Sequence, residues 1–166
     1  YHQLDNVVYG QEKTKEHIIQ ILAKMITNPS GIGNVFSIYG PMGTGKTTIS
    51  SIIKIILEKY FKLKVFKISI DDFYKTRKER INLSKKIHSM LATRGVPGTH
   101  DVKMMLDFFR KVKSRNFKKI DLPNFNKAVD DRFSKKNWYK IKEKPDVIIF
   151  EGWCVGAKPQ RNVDLI

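Results

Sequence analysis

The sequence predicts an α/β protein with a parallel β-sheet that is covered by helices on both faces. Segments 35–39, 65–72 and 146–151 are short and rich in apolar residues, as expected for strands that are buried on both sides. Between them lie longer segments with apolar residues at helical spacing. Alternating strands and helices are typical of a parallel sheet, because parallel neighbours need long crossover connections.

The predicted elements follow one another without an internal repeat or a low-complexity linker. The first helix is QEKTKEHIIQILAKMI, which the breaker NPSGIGN ends before the first strand. A second helix follows that strand and leads to the second strand. We then expect helical segments in 77–91 and at 102–114, a short strand at 118–123, a loop at 124–138 and the last strand at 146–151. We therefore expect a single domain over residues 1–166.

Length and cysteine content limit the class of protein. A chain of 166 residues can bury roughly two-thirds of its unfolded surface and needs no covalent cross-link. The single cysteine, Cys154, excludes an internal disulfide and a four-cysteine zinc site. The longest apolar runs are far shorter than the ~20 residues that span a bilayer, and the chain does not open on a signal peptide. We expect a soluble, cytoplasmic protein without a membrane partner.

The charge is strongly positive, with 32 Lys and Arg against 16 Asp and Glu, a formal net charge of +16. Such an excess raises the question of nucleic acid. The lysines, however, are spread over every segment together with Ile and Asn, as an AT-rich coding composition would produce. The charge therefore fits an anionic small molecule as well as it fits DNA, and it leaves the oligomeric state open.

A glycine-rich segment directly after the first strand matches a phosphate-binding motif. Residues 40–47, GPMGTGKT, fit G-x-x-x-x-G-K-[ST] in full and lie between a predicted strand and a helix. Glycines let the backbone N–H groups wrap around phosphates, while the lysine and the hydroxyl contact phosphate and Mg²⁺. We predict that ATP binds here, through Gly40, Pro41, Met42, Gly43, Thr44, Gly45, Lys46, Thr47 and Thr48.

Carboxylates end the second and the last strand. Asp71 and Asp72 follow VFKISI, and Glu151 follows DVIIF. Ligands of open α/β sheets bind outside the carboxyl ends of the strands, so we expect these groups at one site, with Mg²⁺ and Lys46 as their cations. One carboxylate would act as general base and another would hold the metal, as phosphoryl transfer requires. The alternative is that the aspartates cap a helix.

Four later segments resemble known kinases. SIDDFY and FEGW are similar to the acidic strands of the uridine kinase, pantothenate kinase and phosphoribulokinase superfamily. SIDDFYKTRKER, LATRGVPGTHD, LPNFNKAVDDR and FEGWCVGAKPQ, in that order, resemble D-glycerate 3-kinases and their bacterial kinase-like relatives. The resemblance implies an ATP-dependent P-loop kinase that phosphorylates a hydroxyl of a small metabolite, with D-glycerate favoured as acceptor.

The resemblance also implies roles for individual residues. Asp71 matches the catalytic base, assisted by Lys46, and Thr47, Asp71 and Glu151 match the residues near Mg²⁺. Members of this family continue beyond the position of Ile166, so we expect this chain to lack a lid and the last elements. The residues expected to contact the acceptor are Asp72, Tyr74, Thr99, His100, Asp101 and Arg132.

Two interpretations stay open at this stage. The N-terminal LDNVVYGQEKTKEHIIQIL together with GPMGTGKTT resembles the entry to an AAA+ ATPase module, and the charge would suit a nucleic-acid-associated ATPase. Such a module requires an Asp-Glu pair on its acidic strand, where this chain has Phe150-Glu151. His100, in a Pro-Gly turn, suits a turn-stabilising hydrogen bond as well as a substrate contact. NKAVDDR, with alternating charges, is interpreted as a solvated loop.

Overall fold

The computed structural model describes residues 10, 12–27, 34–38 and 45–156. These residues form four α-helices and seven β-strands, together with short 3₁₀ turns. The helices are α1 (Glu12–Thr27), α2 (Lys46–Phe61), α3 (Arg77–Lys86) and α4 (Val102–Lys113). The strands are β1 (Asn34–Ile38), β2 (Val65–Ser69), β3 (Ile120–Leu122), β4 (Phe125–Asn126), β5 (Asp131–Arg132), β6 (Tyr139–Ile141) and β7 (Val147–Glu151).

The main sheet is parallel and has the order β1-β7-β2. Its central strand is therefore the last one in the described part of the chain. Val147 is level with Asn34 of β1 and Val65 of β2, and Glu151 is level with Ile38 and Ser69. The carboxyl ends of all three strands consequently lie at one edge of the sheet.

Both faces of this sheet are covered, because the side chains of β7 alternate between two apolar cores. Val147 and Ile149 face α1 and α2, where they pack with Ile18, Leu22, Ile49, Ile53 and Leu57. Ile148 and Phe150 face the other side, where they pack with Phe108 and Val112 of α4 and with Ile120, Leu122 and Ile141. This alternation explains why VIIF is apolar at every position. The predicted fold class is confirmed.

Local capping explains where two helices begin. The Thr76 side chain accepts a hydrogen bond from the Glu79 N–H, and the Glu79 side chain accepts one from the Thr76 N–H, which forms a capping box for α3. Asp101 caps α4 by accepting from the Met104 N–H at 3.0 Å. Both caps lie in the segments that resemble known kinases.

Two predictions about local structure are wrong. Segment 124–138 is not simply a loop, because β4 and β5 pair within it as an antiparallel hairpin. The second strand does not reach Asp72 but ends at Ser69, and a 3₁₀ turn occupies Ile70–Phe73. None of the helices within the described ranges is long and apolar enough to cross a membrane.

Candidate active site

Glu151 lies at the centre of the sheet edge that is formed by the carboxyl ends of the three strands. The phosphate-binding motif follows the carboxyl end of β1. Glu151 is the last residue of β7 and lies between Ile38 of β1 and Ser69 of β2. The chain continues along β1, since the Gly152 N–H donates to the Ile38 carbonyl at 3.1 Å. Glu151 therefore lies beside Ile38, the last described residue of β1 before the motif.

The two aspartates after β2 have different environments because the strand gives way to a tight turn. The Ser69 side chain accepts from the Asp71 N–H at 3.3 Å, and the Asp72 carboxylate accepts from the Ser69 N–H at 3.3 Å. Asp72 is thereby tied back to its own turn. The 3₁₀ turn and its capping box, and not the alternation of a strand, therefore separate the two aspartates.

Asp71 turns its carboxylate towards charged and polar side chains of distant segments. Its Oδ2 lies 2.8 Å from Nζ of Lys127, on the β4–β5 hairpin. The Tyr74 side chain, which is almost fully buried, experiences the charge of this carboxylate. Burial raises the pKa of the Tyr74 hydroxyl, and the negative charge of Asp71 raises it further.

Asp72 experiences the charges of its neighbours. Burial raises its pKa to about 6, and the negative charges of Asp71 and Glu151 add to this shift. The hydrogen bond from the Ser69 N–H and the positive charge of Lys127 oppose it. The three predicted carboxylates are therefore close enough to repel one another, as expected for groups that meet at one edge of the sheet.

The phosphate-binding motif is described only from Gly45 onwards, and Gly40–Thr44 lie outside the described residues. Gly45 has a φ of 73°, a left-handed conformation that favours glycine, and it forms the N-cap of α2. Lys46 is the first residue of α2, and Thr47 and Thr48 follow on its first turn. The described end of the motif therefore coincides with the N-terminus of α2, where backbone N–H groups can bind an anion.

Five of the predicted acceptor-contacting residues lie together, on or beside a short antiparallel bridge. Tyr74 pairs with His100, the Lys75 N–H donates to the Thr99 carbonyl at 2.9 Å, and the Asp101 N–H donates to the Phe73 carbonyl at 2.7 Å. Arg132 closes this group by donating to the Tyr74 carbonyl at 3.0 and 2.6 Å and to the Asp101 carboxylate at 3.4 Å.

Most of these side chains already have hydrogen-bond partners within the protein. The Thr99 hydroxyl donates to the Val96 carbonyl, Asp101 caps α4, and the Arg132 guanidinium holds the bridge together. His100 differs from them. It stacks on Tyr74 with a centroid distance of 4.3 Å, it is 5% exposed, and its Nε2 has no hydrogen-bond partner within the described part of the chain. Burial lowers the pKa of His100, although the charge of Asp71 opposes this.

Lys127 is a site residue that the sequence did not predict. NKAVDDR was interpreted as a solvated loop because its charges alternate, whereas the structure folds it into the β4–β5 hairpin beside Asp71. An ion pair between residues that are far apart in the sequence leaves no local pattern. The one available signal was the order of the segments, which placed NFNK in a block that resembles the kinases.

A buried arginine fixes this hairpin to the rest of the domain. The Arg80 side chain is fully buried and donates to the carbonyls of Lys75, Ala92 and Asp130 at 3.3, 2.8 and 2.6 Å. It also forms an ion pair with the Asp130 carboxylate at 2.9 Å. Arg94 adds hydrogen bonds to the same carboxylate and to the Lys127 carbonyl, at 2.8 and 3.1 Å.

The donor set at the sheet edge suits Mg²⁺ rather than a transition metal. No group of three or more His, Cys, Asp or Glu side chains that could hold a metal occurs in the described ranges. Mg²⁺ does not require such a cage, since it commonly uses one or two carboxylates together with water and substrate phosphates. Asp71 and Glu151 offer carboxylate oxygens of this kind, at the ends of β2 and β7.

Comparison with known proteins places the fold among the P-loop kinases. D-glycerate 3-kinase from Cryptococcus neoformans superposes with a TM-score of 0.77 and 27% identity, over 94% of this chain and 57% of that one. Among curated proteins, chloroplastic D-glycerate 3-kinase of Arabidopsis thaliana is 32% identical over 133 residues. The kinase mug58 of Schizosaccharomyces pombe, named as uncharacterized, is 31% identical over 151 residues. The resemblance to D-glycerate 3-kinases is confirmed.

These matches cover most of this chain but only part of the relatives. The alignments include 75% and 87% of this chain, and 29% and 54% of the Arabidopsis and S. pombe proteins. No family model matches the chain. A shorter match, 41% identical over 58 residues, is to Lon protease of Malacoplasma penetrans and covers 35% of this chain. The longer kinase matches do not favour the AAA+ interpretation.

Proposed function

We propose that this chain forms the catalytic part of an ATP-dependent kinase that transfers the γ-phosphate to a hydroxyl of a small metabolite, with D-glycerate as the favoured acceptor. The observation on which this depends is the meeting of Asp71, Asp72 and Glu151 beside the strand that leads to the phosphate-binding motif. The similarity to D-glycerate 3-kinases supports the choice of acceptor.

The phosphate groups of ATP would bind to the motif at residues 40–48. Backbone N–H groups and the N-terminus of α2 supply donors to the phosphates, and Lys46 adds a positive charge. Thr47, Asp71 and Glu151 would hold Mg²⁺, partly through water. When bound, Mg²⁺ would neutralise charge that develops on the phosphate oxygens.

Asp71 is suited to accept the proton of the attacking hydroxyl. In the transfer step, the acceptor oxygen forms a bond to the γ-phosphorus, the bond to the β,γ-bridging oxygen breaks, and ADP leaves. The proton of the hydroxyl passes to the Asp71 carboxylate. Asp72 is less suited to the role, because it accepts from the Ser69 N–H.

His100 is the acceptor-side residue that the contacts support best. Its Nε2 is buried without a partner among the described residues, which is costly unless a ligand or water provides one. Stacking on Tyr74 holds the ring beside Asp71. Tyr74, Thr99, Asp101 and Arg132 would support the site through the bridge described above, and Asp72 would do so through its own 3₁₀ turn.

The proposal is tested by measuring ADP release from ATP and Mg²⁺ with and without D-glycerate. We expect release to depend on the acceptor, and Lys46→Ala to abolish it and to weaken ATP binding, because a fixed cation against the phosphates is lost. ATP hydrolysis that is independent of acceptor, or that DNA stimulates, would instead support a mechanical ATPase. Unchanged ATP affinity and turnover in Lys46→Ala would exclude the nucleotide site.

A further inference from the structure

Lys127 provides a positive charge next to the proposed catalytic base. Its Nζ lies 2.8 Å from Asp71 Oδ2. We infer that Lys127 binds the carboxylate of the phosphate acceptor and holds it beside Asp71, so that the acceptor is a small hydroxy acid. This inference rests on the proposed kinase function and adds to it the residue that selects an acidic acceptor.

The ion pair with Asp71 contributes little to folding stability. The Lys127 side chain is 62% exposed and that of Asp71 is 28% exposed. Pairs exposed to this degree contribute little to stability, because water screens the attraction and ordering a lysine costs entropy. The pair is therefore weak enough for a ligand to replace, and its position at the sheet edge is better explained by binding than by stability.

The backbone that presents Lys127 is held firmly, although its side chain is exposed. The Asn126 side chain accepts from the N–H groups of Ala128 and Val129 at 3.0 and 3.4 Å. Arg94 donates to the Lys127 carbonyl, and Arg80 and Arg94 together hold Asp130. Asp130 has a φ of 55°, a left-handed conformation that these ion pairs maintain. The ammonium group is thus flexible, while the backbone to which its side chain is attached is fixed.

Electrostatics explain why an acidic acceptor needs this cation. Asp71, Asp72 and Glu151 lie close together, and they would repel an incoming carboxylate. The ammonium of Lys127 has three N–H donors on a flexible stem. When the acceptor hydroxyl binds Asp71 Oδ2, the ammonium can shift to the carboxylate of the same molecule. A neutral alcohol has no carboxylate for the ammonium, so Lys127 would stay paired with Asp71 and would not strengthen binding of the alcohol.

The test compares D-glycerate with glycerol, which has hydroxyl groups but no carboxylate. Lys127→Met removes the charge and keeps the length of the side chain. We expect it to raise KM for D-glycerate by about 10- to 100-fold, the usual contribution of a charge-assisted hydrogen bond, with a much smaller change in kcat. The KM for glycerol should change much less than the KM for D-glycerate, because glycerol has no carboxylate for the ammonium to bind. Lys127→Arg should recover much of the loss, and Lys140→Met, an exposed lysine on β6, serves as control.

Each outcome is decisive. If the parent phosphorylates D-glycerate and Lys127→Met leaves its KM unchanged, the inference is wrong while the proposed function stands. Equal losses for D-glycerate and glycerol would also overturn it, because Lys127 would then act on the phosphates or on Asp71 itself. A parent protein that neither binds D-glycerate by calorimetry nor phosphorylates it would overturn the proposed function and the inference together.

Discussion

Asp71 and Asp72 are adjacent residues with the same chemistry, and the fold separates their functions. Asp71 faces Lys127 and Tyr74, whereas Asp72 accepts the Ser69 N–H and closes a 3₁₀ turn. The interpretation as a cap therefore holds for Asp72, while the interpretation as a base remains a prediction for Asp71. The two residues are distinguished by the Asp72 carboxylate, which accepts a hydrogen bond from the backbone of its own turn, whereas the Asp71 carboxylate pairs with a distant side chain.

Substituting the two aspartates in turn tests this distinction. Asp71→Asn keeps the shape of the side chain but cannot accept the proton of the acceptor, so we expect turnover to fall by about 10²- to 10⁴-fold with ATP binding largely intact. Asp72→Asn should cost less, because the amide oxygen can still accept from the Ser69 N–H. Single-turnover phosphoryl transfer with D-glycerate measures both. A larger loss in Asp72→Asn would reassign the base to that residue.

The sequence predicted the members of the site better than their individual contacts. Carboxylates at strand ends are a local pattern, and Asp71, Asp72 and Glu151 follow the ends of two neighbouring strands, while their roles stay predictions. The contacts of Arg132 and Lys127 join segments far apart in the chain, on a hairpin that the sequence analysis assigned as loop. Their partners depend on tertiary packing, which residue types and spacing do not specify.

At the scale of elements, a close approach between two segments sets the position of Asp71. Gly152, just after β7, packs against Ile70 at the start of the 3₁₀ turn. A Cβ added at Gly152 would overlap the Ile70 side chain, with its Cβ only 2.9 Å away, and would lie 3.1 Å from Val155 Cγ2. The glycine is thus required by space and not by its backbone angles. It brings the turn containing Asp71 against the end of β7.

Gly152→Ala is therefore expected to reduce both stability and activity. Overpacking of this kind typically costs 1–3 kcal/mol of the free energy of unfolding, and displacement of Ile70 moves the neighbouring Asp71. Gly156→Ala is the matched control: its φ of 78° is strained for alanine, but an added Cβ meets no atom within 4 Å. Urea unfolding measures the stability of both variants, and turnover measures their activity; we expect only Gly152→Ala to lose activity. Loss of stability without loss of turnover in Gly152→Ala would show that Asp71 is positioned independently.

The helices and buried strands were the most predictable elements. Apolar spacing identified α1, α2, α4 and β7 to within a few residues, because each of these elements buries a continuous face. β4, β5 and β6 were missed: each has only two or three residues, and unlike β3 none of them has the pattern of two buried apolar residues around one exposed residue. The end of β2 was misplaced because Ser69 and Asp72 form a capping box, which begins a 3₁₀ turn where the strand would otherwise continue. The alternation of apolar residues does not reveal such hydrogen bonds.

At the scale of the whole molecule, the positive charge forms a broad surface rather than a defined interface. A groove with a volume of about 340 Å³ beside α4 and β3 is lined by Lys103, Lys111 and Lys135 together with Asp107 and Asp121. An adjoining groove adds Lys118 and Lys119. Carboxylates are interspersed in the first groove, which Asp101 also lines, whereas Asp71 and Glu151 line neither groove.

We expect any DNA binding to be weak and independent of sequence. Dissociation constants near 10⁻⁴–10⁻⁶ M at physiological salt, with a steep decrease in affinity as salt rises, are typical of such binding. Replacing Lys118 and Lys119 by Gln should weaken it no more than replacing the exposed Lys85 and Lys86 does. Fluorescence anisotropy over a salt series measures this. Tight, sequence-specific binding that only the groove variant loses would assign a nucleic-acid function to that groove.

The order β1-β7-β2 also determines when this protein can acquire its sheet during synthesis. β1 and β2 do not pair with each other, and each is bonded only to β7 within the described part of the sheet. A nascent chain that has emerged as far as α4 therefore contains two unpaired strands, which cannot form the parallel ladder until β7 inserts between them. Contacts between residues so distant in sequence form slowly. Glu151 arrives with β7, so the ends of all three strands are brought together in the same late step.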